Sequence, residues 1–202
     1  EKNMSLTSDG RKVYEAVLTA LFPDHPYGTQ TVLGTQENLK NPSITNIKNY
    51  HKTWYVPNNM AICLSGDFDP DQMIETINKY FGHLKPNPNL PKFPVTHECP
   101  VKAPVIKEVL GVDAENVTLG WRFPGAASPD QDLLNLTGEI INNGKAGLLD
   151  IDLVQQQKVL SCYAGTYGMS DYNAFVISGR PKQGQTLDEV KDLFLAEIDK
   201  LK

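Results

Sequence analysis

The side chains best suited to metal binding or proton transfer near neutral pH are four histidines, His25, His51, His83 and His97. No two stand at the i, i+4 spacing that sets a pair of imidazoles on one helix face around a zinc ion. His25 precedes Pro26 in a turn, His51 falls on an expected helix, His83 at a helix end and His97 in a proline-rich stretch. Those positions suit structural or solvated side chains. His97-Glu98-Cys99 carries ligand-type groups, but neighbours at i, i+1 and i+2 rarely converge on one ion. Cys63, Cys99 and Cys162 are far apart with no CxxC pair, which predicts buried free thiols. There is no GxSxG elbow, no EF-hand loop and no phosphate-binding glycine loop, and the GKAG of Gly144–Gly147 lacks the rest of a P-loop pattern. None of these patterns supports catalysis by the chain alone.

The elements that would carry these residues need a core. A chain of 202 residues, 40% hydrophobic and 21% charged, is long enough for one large domain or two modest ones. Its net charge is -5 and its 19 basic residues form no cluster, so nucleic acid is not expected as a partner. Apolar runs stop well short of the roughly 20 residues that span a bilayer. EKNMSLTSDG has no signal-peptide pattern, and TLDEVKDLFLAEIDKLK (residues 186–202) reads as an amphipathic helix without a capping Gly. The chain is therefore expected to be an internal piece of something longer.

Val13, Val17, Leu18 and Leu21 predict a helix over residues 11–22, ended by Pro23 and followed by a long ordered loop. Ser43 should cap a second helix to Trp54. The nearly continuous apolar run over residues 59–65 suits a strand buried on both faces. Asp69-Pro70 opens a helix whose core face is Met73, Ile74, Ile77, Tyr80 and Phe81. Six prolines among the 23 residues from Gly82 to Pro104 mark the expected interdomain linker. Beyond it come strands over residues 104–112 and 116–123, then a helix from Ser128 that turns Leu133, Leu134, Leu136, Ile140 and Ile141 inward. NNGKAG should turn, Leu148–Gln155 form a short helix, and residues 158–168 and 171–180 make a hairpin near Ser170-Asp171. This order predicts an α+β unit on an antiparallel sheet.

One ordered set of short motifs remains: His25-Pro26-Tyr27-Gly28, Gly34, Tyr55-Val56-Pro57-Asn58-Asn59-Met60, Gly66-Asp67-Phe68-Asp69 and Tyr80-Phe81-Gly82. Together they resemble the segment that follows the zinc-binding helices in the insulinase and pitrilysin metallopeptidases, the M16 inverted zincins. NLTGEIINNGKAGLLDIDLVQQQKVLSCYAG (residues 135–165) is similar to the opening of that family's second lobe. The resemblance implies antiparallel sheets flanked by helices, in parts of two lobes. Residues 1–82 would be the C-terminal half of the first lobe, 83–104 the linker and 105–202 the start of the second. It implies a parent endopeptidase that uses zinc-activated water on peptides or unfolded polypeptides; the rival is a non-catalytic scaffold or peptide-binding homologue. HxxEH is absent from this chain, so the piece is expected to be inactive and to hold no zinc alone. Counting back twelve residues from Val13 gives Glu1 as the implied third zinc ligand. Relatives carry an Arg seven residues before a substrate-contacting Tyr; Tyr163 matches the Tyr, but the Arg position holds Gln156. Implied partners are a peptide substrate and the remaining lobes of the parent or a partner subunit, in an exported, periplasmic or envelope-associated bacterial setting.

Overall fold

Short polar side chains open the helices by accepting hydrogen bonds from first-turn amides that have no partner within the helix. Ser8 accepts from Arg11 N before the helix Asp9–Leu21, Ser43 from Asn46 N before Ile44–Trp54, and Asp69 from Gln72 N before Pro70–Phe81. Thr186 and Glu189 form a reciprocal capping box before Leu187–Asp199. The computed structural model describes residues 1–201. In chain order the helices are α1 (Lys2–Thr7), α2 (Asp9–Leu21), α3 (Pro26–Thr29), α4 (Gln36–Lys40), α5 (Ile44–Trp54), α6 (Pro70–Phe81), α7 (Asp130–Ile141) and α8 (Leu187–Asp199). The strands are β1 (Val117–Pro124), β2 (Ser161–Gly168) and β3 (Tyr172–Arg180). Lys202, the last residue of the expected C-terminal helix, lies outside the described residues.

Packing separates two units, residues 34–94 and a second made of residues 1–33 with the chain from Val95 onward. The division at 94 falls within the stretch expected to link two domains, while residues 1–33 group with the sheet because α2 packs on it.

In the larger unit β3 lies between β1 and β2, antiparallel to both. One face carries Trp121 opposite Phe175, and Leu119 and Ala164 on either side of Ile177. These pack with Ile141 of α7, with Leu149 and Leu153 around the π-helical turn Asp150–Gln155, and with Val190 and Phe194 of α8. The other face has Gly120, Val176 and Gly165 side by side. A side chain at position 120 would come within 3.3 Å of Leu21 and 3.5 Å of Val17. Glycine here is what lets α2 lie close, burying Leu18, Leu21 and Phe22 against Ala174.

The start of α2 also ties down a distant segment. The buried Asp9 carboxylate accepts from Val112 N at 2.6 Å and Asp113 N at 2.9 Å and pairs with Lys12 at 2.8 Å. The Lys12 ammonium first, then the Asp113 and Val112 amides, hold this carboxyl at about 2, down from its ordinary 3.8. A carboxylate whose folded value is depressed stabilises above its unfolded value and loses that contribution as pH falls through the folded one, here between about 4 and 2. Asp9→Asn should therefore lower the urea midpoint above about pH 4, with the difference from the parent sequence closing by about pH 2.

Residues 34–94 contain α5 and α6, a 3-10 turn at Pro57–Asn59 and the proline-containing stretch. Asn58 and Asn87 exchange two hydrogen bonds, and Trp54 stacks on Phe93. Both helices form as expected, but the strand expected at 59–65 does not. That segment has no ladder and is exposed, as are Ile74, Tyr80 and Phe81 of the anticipated core face. Residues 104–112 likewise form no strand, with Ile106, Leu110 and Val112 exposed. Helix α7 buries a narrower face than expected: Leu134 and Ile141 point inward beside Gly138, while Leu133, Leu136 and Ile140 are exposed. The three thiols are free, but Cys63 and Cys99 are exposed rather than buried and only Cys162 is partly covered.

Candidate functional site

Two places in the larger unit gather polar and aromatic side chains. The first surrounds His25, whose ring is 2% exposed. Its Nδ1 accepts from Tyr27 N at 3.1 Å, capping α3, so Nε2 carries the proton and donates to Asp171 Oδ2 at 3.2 Å. Tyr27 Oη accepts from Asp171 N at 3.0 Å, and Tyr172 and Tyr27 pack edge-on to the imidazole. Glu98 closes the other side: its Oε1 accepts from Asp24 N at 2.9 Å and His25 N at 2.8 Å, and its Oε2 lies 3.3 Å from the Arg122 guanidinium. Arg122 also donates to the carbonyls of Leu21 and Cys99 and lies against the Tyr172 ring.

Glu98 Oε2 meets Arg122 as an ion pair without a hydrogen bond, the other charged and ring groups are hydrogen-bonded to one another or to backbone, and the His25-Pro26-Tyr27-Gly28 turn serves packing. A Cβ at Gly28 would sit 2.1 Å from the Phe22 carbonyl oxygen and 2.6 Å from that of Leu18, so only glycine fits against the end of α2. The cluster acts as a polar clamp between the α2–α3 corner and the β2–β3 turn, with the Asp171 side chain 32% exposed at its edge. The sequence reading named Glu98 as part of a ligand-type tripeptide and Asp171 as part of a turn, but foresaw neither these contacts nor Arg122; the partners lie 73 residues apart for Glu98 with His25 and 146 for His25 with Asp171, and no local spacing encodes that. The ligand-type tripeptide does not converge: Glu98 is buried while His97 and Cys99 are exposed. His51 stacks on Tyr55, and both it and His83 are exposed.

The second place is an open groove of about 380 Å³ between the first half of α2 and the sheet. Val13, Tyr14 and Val17 form one wall; Tyr163 and Tyr167 of β2 form the other; Arg180 stands at one end. Its floor includes the Thr118 and Ser178 hydroxyls, hydrogen-bonded to each other at 2.9 Å. Tyr163 is half exposed on an edge strand, its ring laid along the strand over Gly165, where a Cβ would meet the phenol oxygen at 2.1 Å. Tyr14 meets Tyr167 edge-on at 5.4 Å. Burial first, then the neighbouring Tyr163 and Tyr14, raises the Tyr167 phenol above its ordinary value. Burial and then the nearby Asp150 carboxylate push the Cys162 thiol up to about 11, so it stays a thiol at neutral pH and is a poor nucleophile. Gln156 is exposed beyond the π-helical turn, with its amide 3.5 Å from Asp152 Oδ1.

Glu1 is exposed at the N-cap of α1 and its side chain makes no capping bond. Among the described residues no group of three or more His, Cys, Asp or Glu converges as a metal site requires. The described residues alone do not fit a zinc ion. No described helix is long and apolar enough to cross a membrane.

Comparison with known proteins gives this arrangement its relatives. Residues 43–202 match the family described as the peptidase M16 inactive domain. The chain is 24% identical over 203 aligned positions to the zinc protease PqqE of Helicobacter pylori, an alignment covering 94% of this chain and 44% of that protein. The crystal structure of a protease from Helicobacter pylori superposes with a TM-score of 0.80 at 22% identity, covering 98% of this chain and 48% of the other. The ferredoxin protease FusC, solved in complex with Arabidopsis ferredoxin, superposes at 0.60 with 20% identity, covering 85% of this chain and 20% of its own. The chain thus spans about half the length of the Helicobacter relatives. Its antiparallel sheet flanked by helices is the fold they share, and by the match over residues 43–202 the chain belongs to the peptidase M16 family of zinc proteases and their inactive domains.

Proposed function

We propose that this chain is a non-catalytic portion of a zinc-dependent endopeptidase that hydrolyses peptides or unfolded polypeptides with metal-activated water, and that it is inactive alone. The observation that carries this reading is the match of residues 43–202 to the M16 inactive domain in a sequence that contains no HxxEH. In the parent, zinc would supply Lewis acidity and an activated water. Glu1 would contribute one carboxylate ligand beside histidines contributed from outside these residues. What this chain offers substrate is the groove beside β2. An extended peptide can lie along an edge strand through main-chain hydrogen bonds. There the Tyr163 ring would cover one side chain, Tyr14 and Tyr167 would flank another, and Arg180 would meet a carboxylate.

The test is zinc content and peptide hydrolysis of the full parent. Glu1→Gln should lose both. Tyr163→Ala should keep its zinc and raise KM about tenfold with kcat little changed, as expected for loss of uniform binding. An unchanged KM would remove Tyr163 from the peptide site. A parent that folds but neither binds zinc nor cuts would establish the second reading, a scaffold or peptide-binding homologue.

A further inference from the structure

Asn143-Gly144 is the one Asn-Gly pair in the sequence, and both residues are exposed in the NNGKAG turn that follows α7. In that order the two carry a reaction of their own. The backbone nitrogen after an asparagine can attack the carboxamide carbon, and a glycine there has no Cβ to obstruct the approach. Asparagine counts among the thermolabile residues.

Here the reacting atoms are all held by other partners. The nucleophile, Gly144 N, donates to Asp150 Oδ2 at 2.9 Å, and Asn143 N donates to the same oxygen at 3.0 Å. The Asn143 carboxamide is fixed at both ends. Its Oδ1 accepts from Lys145 N at 3.0 Å and Ala146 N at 2.9 Å, and its Nδ2 donates to the Glu139 carbonyl at 3.1 Å. Asp150 is buried, whereas solvent reaches the Asn-Gly pair. Hydrogen bonding, and not cover, is what separates this pair from hydroxide.

We propose that Asn143 is a latent deamidation site, kept closed by the Asp150 carboxylate and released by local opening of the turn. In the open turn Gly144 N gives its proton to hydroxide and bonds to Asn143 Cγ; the Cγ–Nδ2 bond breaks, and the nitrogen leaves as ammonia with a proton from water. Water then opens the cyclic imide at either carbonyl, giving aspartate or isoaspartate. In the closed turn Gly144 N must first leave Asp150, and the carboxamide must swing off its three partners. The rate therefore follows the fraction of open turn. The product cannot restore the turn. Aspartate at 143 has no N–H for the Glu139 carbonyl and adds a second negative charge to a turn built on a carboxylate. Isoaspartate lengthens the backbone between 143 and 144, which spoils the convergence of the Asn143, Gly144 and Gly147 amides on Asp150 Oδ2. Because Asn142 ties the same turn to Ala164 of β2, the edge strand beside the groove loosens with it. None of this depends on zinc chemistry.

The test follows Asn143 by peptide mapping and mass spectrometry in the intact parent, held at mildly alkaline pH with and without urea. The native parent should convert Asn143 at least about thirtyfold more slowly than the unfolded parent. Under native conditions Asp150→Ala should speed conversion about tenfold or more. Glu98→Gln, which weakens the same unit at a distance, should leave the rate at the parent's. Equal rates in native and unfolded parent would overturn the proposal. So would an unchanged or slower rate in Asp150→Ala, or an equal acceleration by Glu98→Gln, which would make global unfolding the route. If Asp150→Ala does not fold, hydrogen exchange of the Gly144 amide in the native parent decides in its place: protection upholds the hold by Asp150, and exchange at the unstructured rate overturns it.

Discussion

Replacing Glu98 with alanine should destabilise the larger unit by about 3–5 kcal/mol, the cost of breaking a buried ion pair from one side. The Glu98 side chain is 1% exposed and that of Arg122 10%. Losing the carboxylate leaves the Arg122 charge with two carbonyls as its hydrogen-bonding partners and strips the Asp24 and His25 amides of their acceptor. Glu98→Gln keeps one carbonyl oxygen for those two amides but gives up the charge, so it should recover part of the loss. Urea unfolding of the three proteins at neutral pH measures the series. Equal stability of all three would mean that the clamp is ornamental to the fold.

Asp150→Ala should cost a comparable amount, about 3 kcal/mol, because one carboxylate satisfies four donors. Its Oδ1 accepts from Asn142 Nδ2 at 2.7 Å, and its Oδ2 accepts from the amides of Asn143 at 3.0 Å, Gly144 at 2.9 Å and Gly147 at 3.0 Å. Together they fold the NNGKAG turn around the start of the π-helical segment. Gly144 sits at φ +78°, where a side chain would be strained. Asn142, in turn, accepts from Ala164 N at 3.2 Å and so links the turn to β2 beside the groove. Asp150→Asn retains shape without charge and should fall between the two. Thermal unfolding separates them, and a loss on Asp150→Ala below about 1 kcal/mol would contradict the network.

What could be read from the sequence was whatever is encoded within a few residues. Ser43, Asp69-Pro70 and the 3.6-residue apolar spacing marked α5 and α6, and the runs over residues 158–168 and 171–180 around Ser170-Asp171 marked the β2–β3 hairpin. The strands expected at 59–65 and 104–112 were read from the same kind of pattern and are absent from the structure. A strand requires a neighbour, and none of the described residues pairs with these runs. Prolines between residues 82 and 104 mark irregular, exposed chain whether or not it joins two domains. Of the two divisions between compact units, the one at about residue 94 falls within this stretch and the one at about residue 33 has no proline-rich mark. The candidate site was half legible. Tyr163 was found through resemblance and lies in a groove, while its companions Tyr14 and Arg180 come from other elements. The Glu98–Arg122 and His25–Asp171 contacts bring together residues that only the folded chain makes neighbours.

In the proposed division of labour this chain supplies architecture and a substrate-facing groove, and the reacting centre lies elsewhere in the parent. Metal analysis and a peptide-cleavage assay, run on the 202-residue chain beside the full parent, test it most directly. No stoichiometric zinc and no cleavage are expected from the chain alone, and both from the parent. Zinc-dependent cleavage by the isolated chain would contradict it.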